Sequence, residues 1–265
     1  MNSRAFGLMM EIQRRNDDMG YQEVFGDTFS GKTVLLSGGT GGIGLALAKG
    51  FADCGATVIA TGSSDNRVDE ARTHAGPNLS FERLDVRDHD AVRARFEKLG
   101  ELDVLVNCQG VARPGDEWEE ETFLTVMDIN LNSAMRLARA AYPGLKARRG
   151  NIINVASMLS YLADPSVPSY TASKTGIVGL TRALAHQWGA DGIRVNAIAP
   201  GYHKTEMTRP LWTDPEAADK IAQRAAAKRW GTAEDLVGPT LFLASDAAEF
   251  VTGTVLPVDG GYHTG

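Results

Sequence analysis

Short β-branched runs alternate with helix-length segments along nearly the whole chain, and no other feature constrains the fold as tightly. The runs are 33–37 (TVLLS), 57–61 (TVIAT), 79–84, 103–107 (DVLVN), 151–156 (NIINVA), 193–198 (IRVNAI) and 254–258. The segments between them read as a helix ending near Asp53, then helices over 65–73, 88–99, 119–128, 131–146, 169–188, 215–228 and 233–243. The runs lack polar alternation, which suits strands buried on both faces of a parallel sheet. Strand–helix–strand units join by right-handed crossovers. The pattern therefore predicts an α/β fold, a doubly wound parallel sheet flanked by helices. No Pro/Gly/Ser linker or internal repeat divides the 265 residues, so 29–265 read as one domain. Residues 1–28 are polar and mixed. They read as an N-terminal extension, by default a loose tail, with an ordered arm on a partner subunit as the alternative.

Charge and composition close off other classes. The chain has 27 Lys and Arg against 33 Asp and Glu, a net charge of −6, whereas a nucleic-acid binder needs a basic face. No run of about 18 apolar residues is present to cross a bilayer. The apolar stretch 5–10 is short for a secretory signal, so the expected location is cytoplasmic. Cys54 and Cys108 have no motif partner and read as buried free thiols. His74, His89, His186, His203 and His263 show no metal-ligand spacing, so no metal site is expected.

Glycine is in excess, with 29 residues. Five of them fall in Ser37-Gly38-Gly39-Thr40-Gly41-Gly42-Ile43-Gly44, between the first run and the first helix. A helix N-terminus offers unpaired N–H groups and a positive dipole end, and glycines let backbone close on a pyrophosphate. The turn points to a dinucleotide site on a Rossmann-type sheet. Its spacing, G-x-x-x-G-x-G, departs from G-x-G-x-x-G, and a plain turn is the alternative. An acid at the end of the second strand would take the ribose 2′-OH of NAD. Gly62 stands there, followed by Ser63, Ser64 and Arg67. Their hydroxyls and charge suit a 2′-phosphate, so NADP is preferred over NAD, although no Lys or Arg lies inside the glycine turn.

Tyr170 and Lys174 stand at i and i+4 on a predicted helix and share a face. Taken alone, such a pair is surface decoration. Beside a dinucleotide turn it is a candidate acid/base pair, because a nearby cation favours phenolate. A lowering of ~2–3 units needs ~3–4 kcal/mol, which a close, partly desolvated cation supplies. Ser157 ends the fifth run, at the strand edge that lines the ligand crevice, and its hydroxyl can hold a substrate oxygen. Asn130 begins the helix two elements earlier, where it can organise a water or the Lys.

From about Phe29 onward the sequence resembles the short-chain dehydrogenase/reductase family. The resemblance rests on Ser37–Gly44, Asp85-Val86, Asn107-Cys108-Gln109-Gly110, Asn130, Ser157, Tyr170 with Lys174, and Pro200-Gly201 with Thr205. It implies hydride transfer between NAD(P) and a carbonyl or alcohol by an enzyme that is usually a homotetramer. It implies Tyr170 as general acid/base, Ser157 polarising the carbonyl, Lys174 lowering the Tyr pKa and binding the nicotinamide ribose, and Asn130 supporting a proton relay. The same match makes Gly38, Thr40, Gly41, Gly42, Ile43 and Gly44 cofactor residues. Asp85 and Val86 fall at the adenine, Asn107 and Gly110 by the cofactor, and Ile198 and Thr205 at the carboxamide, with Pro200 and Gly201 alongside. Two departures stand out: Ser37 where the family has Thr, and Gln109 where it has Ala, a bulkier side chain beside the cofactor.

Phrases of the second half, such as 152–160, 168–174, 196–202 and 229–236, are similar to the sugar-acid and polyol members of the family, 2-deoxy-D-gluconate 3-dehydrogenase and gluconate 5-dehydrogenase. The end of the second strand looks instead like a 3-oxoacyl-acyl-carrier-protein reductase. The first reading is a sugar-acid or polyol oxidoreductase, the second a thioester ketone reductase. A catalytically silent cofactor-binding interaction protein is a third, disfavoured because Tyr170 and Lys174 are both kept. A substrate carboxylate could meet Arg113, or His203, Lys204 or Arg209 after Pro200-Gly201; each is otherwise a solvated charge. Residues 202–228 read as a mobile lid, with Trp212 as its wall or as a packed side chain.

Overall fold

Each apolar run forms a strand: β1 Thr33–Ser37, β2 Thr57–Gly62, β3 Leu79–Arg83, β4 Val104–Asn107, β5 Asn151–Val155, β6 Arg194–Pro200 and β7 Val255–Val258. The computed structural model of the chain describes residues 21–265. All seven strands are parallel, in the order β3-β2-β1-β4-β5-β6-β7. The order reverses between β1 and β4, and a crevice opens at the carboxyl ends of the strands at such a switch point. This is the single Rossmann-type domain that the alternation predicts.

Side-chain parity divides the core into two layers. Val34, Leu36, Ile153 and Ile198 pack with the helices Gly42–Asp53 and Val237–Ala244. Leu35, Leu105 and Ile152 pack on the other face against Phe96, Leu137, Leu145 and Trp188. Both faces are dry, which explains why the strand sequences are continuously apolar. Among the described residues no helix is long and apolar enough to cross a membrane.

The structure departs from the sequence reading in four places. The segments 119–128 and 131–146 form one continuous helix, Glu120–Met127 running through a π-turn at Asp128–Asn132 into Ser133–Arg148. The helix expected over 215–228 stops at Arg224, because Ala225 is buried beside Met158 and Tyr262 and Ala227 N–H donates to the Gly260 carbonyl at 3.0 Å. A short helix, Arg209–Trp212, lies where no helix was expected. Finally, residues 21–28 are not a loose tail. Tyr21–Phe25 is a helical turn that packs Tyr21 and Phe25 on the core, and the Tyr21 hydroxyl donates to the Glu234 carbonyl at 2.6 Å. Residues 1–20 lie outside the described residues.

Candidate active site

The glycine turn closes the end of β1. Gly38 and Gly39 N–H groups both donate to the Thr61 carbonyl at 2.9 Å. Gly38 has φ +78°, and a Cβ there would fall 2.6 Å from the Gln109 amide nitrogen, so this position accepts glycine alone. Gly41 faces open space, with nothing within 4 Å of a Cβ position, and Gly42 meets Thr205 at 3.7 Å. The segment after Pro200-Gly201 thus arches over the turn. Below it, Thr61, Ser37, Asn107 and Asn154 stand side by side on β2, β1, β4 and β5 in register. Asn107 donates to Asn154 at 2.9 Å, but Ser37 Oγ, Thr61 Oγ1 and Asn107 Oδ1 are buried without a partner. Open glycine backbone at a helix N-terminus above unpaired polar atoms fits a dinucleotide phosphate.

At the end of β2 a Cβ on Gly62 would lie 2.6 Å from Thr40 Cγ2. The Thr40 side chain therefore fills the place of an acidic residue. Ser63, Ser64 and Arg67 are exposed beside it. Arg83, which the sequence reading did not single out, reaches the same spot from β3: its Nε donates to the Ser63 carbonyl at 3.3 Å and lies 3.4 Å from Asp65. Asp85 is taken by Arg87 at 2.7 Å, whose guanidinium holds the carboxyl below its ordinary range. Val86 is buried, and its carbonyl accepts from Arg136.

The remaining residues converge at the ends of β4 and β5. Gly110 lies against Lys174 Nζ and Asn130 Oδ1, at 3.4 and 3.6 Å from a Cβ position. Lys174 is buried and donates to the Val155 carbonyl at 2.7 Å, with Nζ 5.6 Å from the Tyr170 ring centre. Ser157 is buried and accepts from Leu159 N–H at 3.1 Å, and its hydroxyl also faces the Tyr170 phenol. The Asn130 amide is fully engaged. Oδ1 accepts from Val111 N–H at 2.8 Å, and Nδ2 donates to the Val111 carbonyl at 2.9 Å and to Ser173 Oγ at 3.1 Å. Asn130 thus ties β4's exit to the Pro168–Trp188 helix. Gln109 turns away from the turn, donating to Ser133 Oγ at 2.8 Å.

Electrostatics differ from the expectation for Lys174. Burial pushes its ammonium down to about 8. Burial also raises the Tyr170 phenol, and the Ser157 hydroxyl only partly offsets this. Cys108, with burial pushing its thiol up to about 11, is an inert neighbour.

The substrate candidates separate. His203 is 3% exposed, packed against Gly231 with Nδ1 3.1 Å from the Gly201 carbonyl, and burial lowers its pKa. Burial therefore favours its neutral ring. Arg113, Lys204 and Arg209 are exposed, and Arg209 pairs with Glu206 at 3.3 Å. Trp212 is half-buried, its indole donating to the Thr205 carbonyl at 3.0 Å. Sequence reasoning missed the aromatic group beside Met158. There Tyr202 meets Trp230 and Tyr262 edge-on, and the Arg224 guanidinium lies 4.4 Å from the Tyr262 ring. Only the fold brings these distant segments together.

Comparison with known proteins agrees with this geometry. A protein-family model described as Enoyl-(Acyl carrier protein) reductase matches residues 38–263. The chain belongs to the short-chain dehydrogenase/reductase family. It is an NAD(P)-dependent oxidoreductase acting on CH–OH groups. Gluconate 5-dehydrogenase of Gluconobacter oxydans (strain 621H) is 39% identical over 253 residues, 92% of this chain and 98% of that one. The 2-dehydro-3-deoxy-D-gluconate 5-dehydrogenase of Bacillus subtilis (strain 168) is 40% identical over 254 residues, 92% and 99% of the two chains. The crystal structure of a gluconate 5-dehydrogenase from Burkholderia cenocepacia J2315 in complex with NADP and tartrate superposes with a TM-score of 0.83 at 34% identity, covering 90% of this dehydrogenase/reductase and 98% of that chain.

Proposed function

We propose that the protein oxidises or reduces a sugar acid or polyol of the gluconate type with NADP(H). The observation that carries the reading is the convergence of Ser157, Tyr170 and Lys174 at the carboxyl ends of the sheet, one residue's breadth from the glycine turn through Gln109 and Gly110. Several relatives at 37–40% identity are gluconate-type dehydrogenases, against 35% for the 3-oxoacyl-[acyl-carrier-protein] reductase of Escherichia coli (strain K12), and a gluconate 5-dehydrogenase was solved with NADP, which supports the substrate class and the cofactor. When bound, the nicotinamide supplies or accepts the hydride.

The chain's own residues do the rest. Backbone of Gly38, Thr40, Gly41, Gly42, Ile43 and Gly44 holds the pyrophosphate at the helix N-terminus. Ser63, Ser64 and Arg67, with Arg83 beside them, face the 2′-phosphate, while Asp85 and Val86 border the adenine. Asn107, Gly110, Pro200, Gly201 and Thr205 line the nicotinamide half. Ser157 donates its O–H to the carbonyl oxygen, and Tyr170 gives that oxygen a proton in reduction and removes it in oxidation. Lys174 holds a ribose hydroxyl and supplies positive charge beside the phenol. Asn130 fixes Val111 and the Tyr170 helix. Arg113 and Trp212 stand at the entrance to the site. The protein works in the cytoplasm as a homotetramer; light scattering showing a monomer would count against that assembly.

Initial rates on a panel of gluconates, polyols, ketones and an acetoacetyl thioester, each with NADP(H) and NAD(H), test the reading. Turnover of gluconates with NADP is the expected result. Activity confined to the thioester, or a large NAD preference, would overturn the substrate or cofactor assignment. Tyr170→Phe should lower kcat by at least about 100-fold; a wild-type rate would refute the mechanism.

A further inference from the structure

Glu117 lies in the loop between β4 and the Glu120–Met127 helix and is completely buried, at 0% exposure. Among the described residues no Lys, Arg or His pairs with it. Its Oε1 accepts from Arg113 N–H and its Oε2 from Tyr170 N–H, both at 2.8 Å. Both oxygens accept and neither donates, the pattern of an ionised carboxylate. A buried charge is costly unless something compensates it. The compensation here is the start of the Pro168–Trp188 helix, where Tyr170 is the third residue and its N–H would otherwise be unpaired. That helix has no cap of its own, because Val167 precedes it. Two further bonds clasp the same loops: Gly115 N–H to the Ser166 carbonyl, and the Trp118 indole to the Pro165 carbonyl, each at 3.0 Å.

We propose that Glu117 is a positioning residue for the reaction, an inter-loop cap that sets both the place of Tyr170 and the charge around its phenol. The proposal rests on Tyr170 being the acid/base group. The titratable groups facing that phenol are Lys174 on the same helix, Cys108 after β4, and Glu117. Glu117 opposes ionisation of the phenol, in the same direction as burial. Its carboxylate also offsets the positive end of the helix. By pinning Arg113 and Tyr170 at once, it makes the β4 loop and the catalytic helix move as one body.

The test compares Glu117→Gln and Glu117→Asp with wild type, using NADP and gluconate, or the panel member that wild type oxidises fastest. NADP affinity and thermal melting are measured alongside. In Glu117→Gln an amide N–H₂ replaces one acceptor, so kcat should fall about tenfold or more, while NADP affinity stays within about twofold. The rising limb of the pH profile for oxidation should move to lower pH, because the opposing charge is gone. Glu117→Asp keeps the charge but not the reach: kcat should fall and the limb should stay. Wild-type kcat and an unmoved limb in Glu117→Gln would overturn the proposal. So would collapse of NADP binding and melting in both variants, which would make Glu117 a residue of the scaffold alone. A wild-type rate in Tyr170→Phe would instead sink the underlying mechanism, so the two failures are distinguishable.

Discussion

Lys174 is 3% exposed, and its ammonium has one hydrogen bond among the described residues, to the Val155 carbonyl. Its pKa falls from 10.5 to about 8, because burial penalises the charged form. The folded state therefore binds its proton more weakly than the unfolded chain. The penalty is present in full below pH 8 and is relieved as pH rises towards 10.5. Lys174→Met should thus stabilise the fold at pH 7 by about 1–3 kcal/mol, while turnover is lost. Chemical denaturation at pH 7 and again near pH 10.5 checks it; the gain should shrink at the higher pH. The same residue shows what the sequence pattern conveyed. Spacing of i and i+4 placed Lys174 beside Tyr170, but the depth of burial, which weakens its hold on a proton, depends on β5 and the β4 loop.

At the scale of elements, the glycine turn and β2 act together. Thr40 packs where an acidic side chain at position 62 would sit. Gly62→Asp alone should weaken both cofactors, because the new side chain collides with Thr40 before it reaches a ribose. Gly62→Asp combined with Thr40→Ala should shift preference towards NAD. Initial rates with both cofactors decide it; a plain NAD gain in the single variant would show that Thr40 is no barrier. The strands were legible from sequence because a strand buried on both faces needs an unbroken apolar run. The π-turn at Asp128–Asn132 was not legible. Hydrophobic periodicity there reads as two helices, whereas the extra residue in the turn aims Asn130 inward onto Val111 and Ser173. The end of the Pro215–Arg224 helix was likewise set by the distant Gly260.

Across the whole molecule, buried polar groups stake stability on pH. His203 has its pKa lowered by burial from 6.5, so the folded state prefers the neutral ring. Its contribution is present above pH 6.5 and is lost as pH falls through the lower folded value. Melting temperature should therefore drop below about pH 6.5, and His203→Asn, which keeps a donor near the Gly201 carbonyl, should flatten that limb. An unchanged limb would mean another group carries it. His203 and Glu117 also mark the boundary between what the chain declares and what the fold decides. The alternating runs, the glycine turn and the Tyr–Lys spacing are local patterns, and they determined the parallel sheet, the tight turn after β1 and the shared helix face of Tyr170 and Lys174. In sequence, Glu117 is one more acid between Asp116 and Glu119, and His203 one more polar residue in the lid. Tertiary structure made the first a buried cap for a residue 53 positions away and the second a wedge against Gly231. Burial of a polar group depends on partners that long-range packing delivers, and no spacing along the chain encodes them.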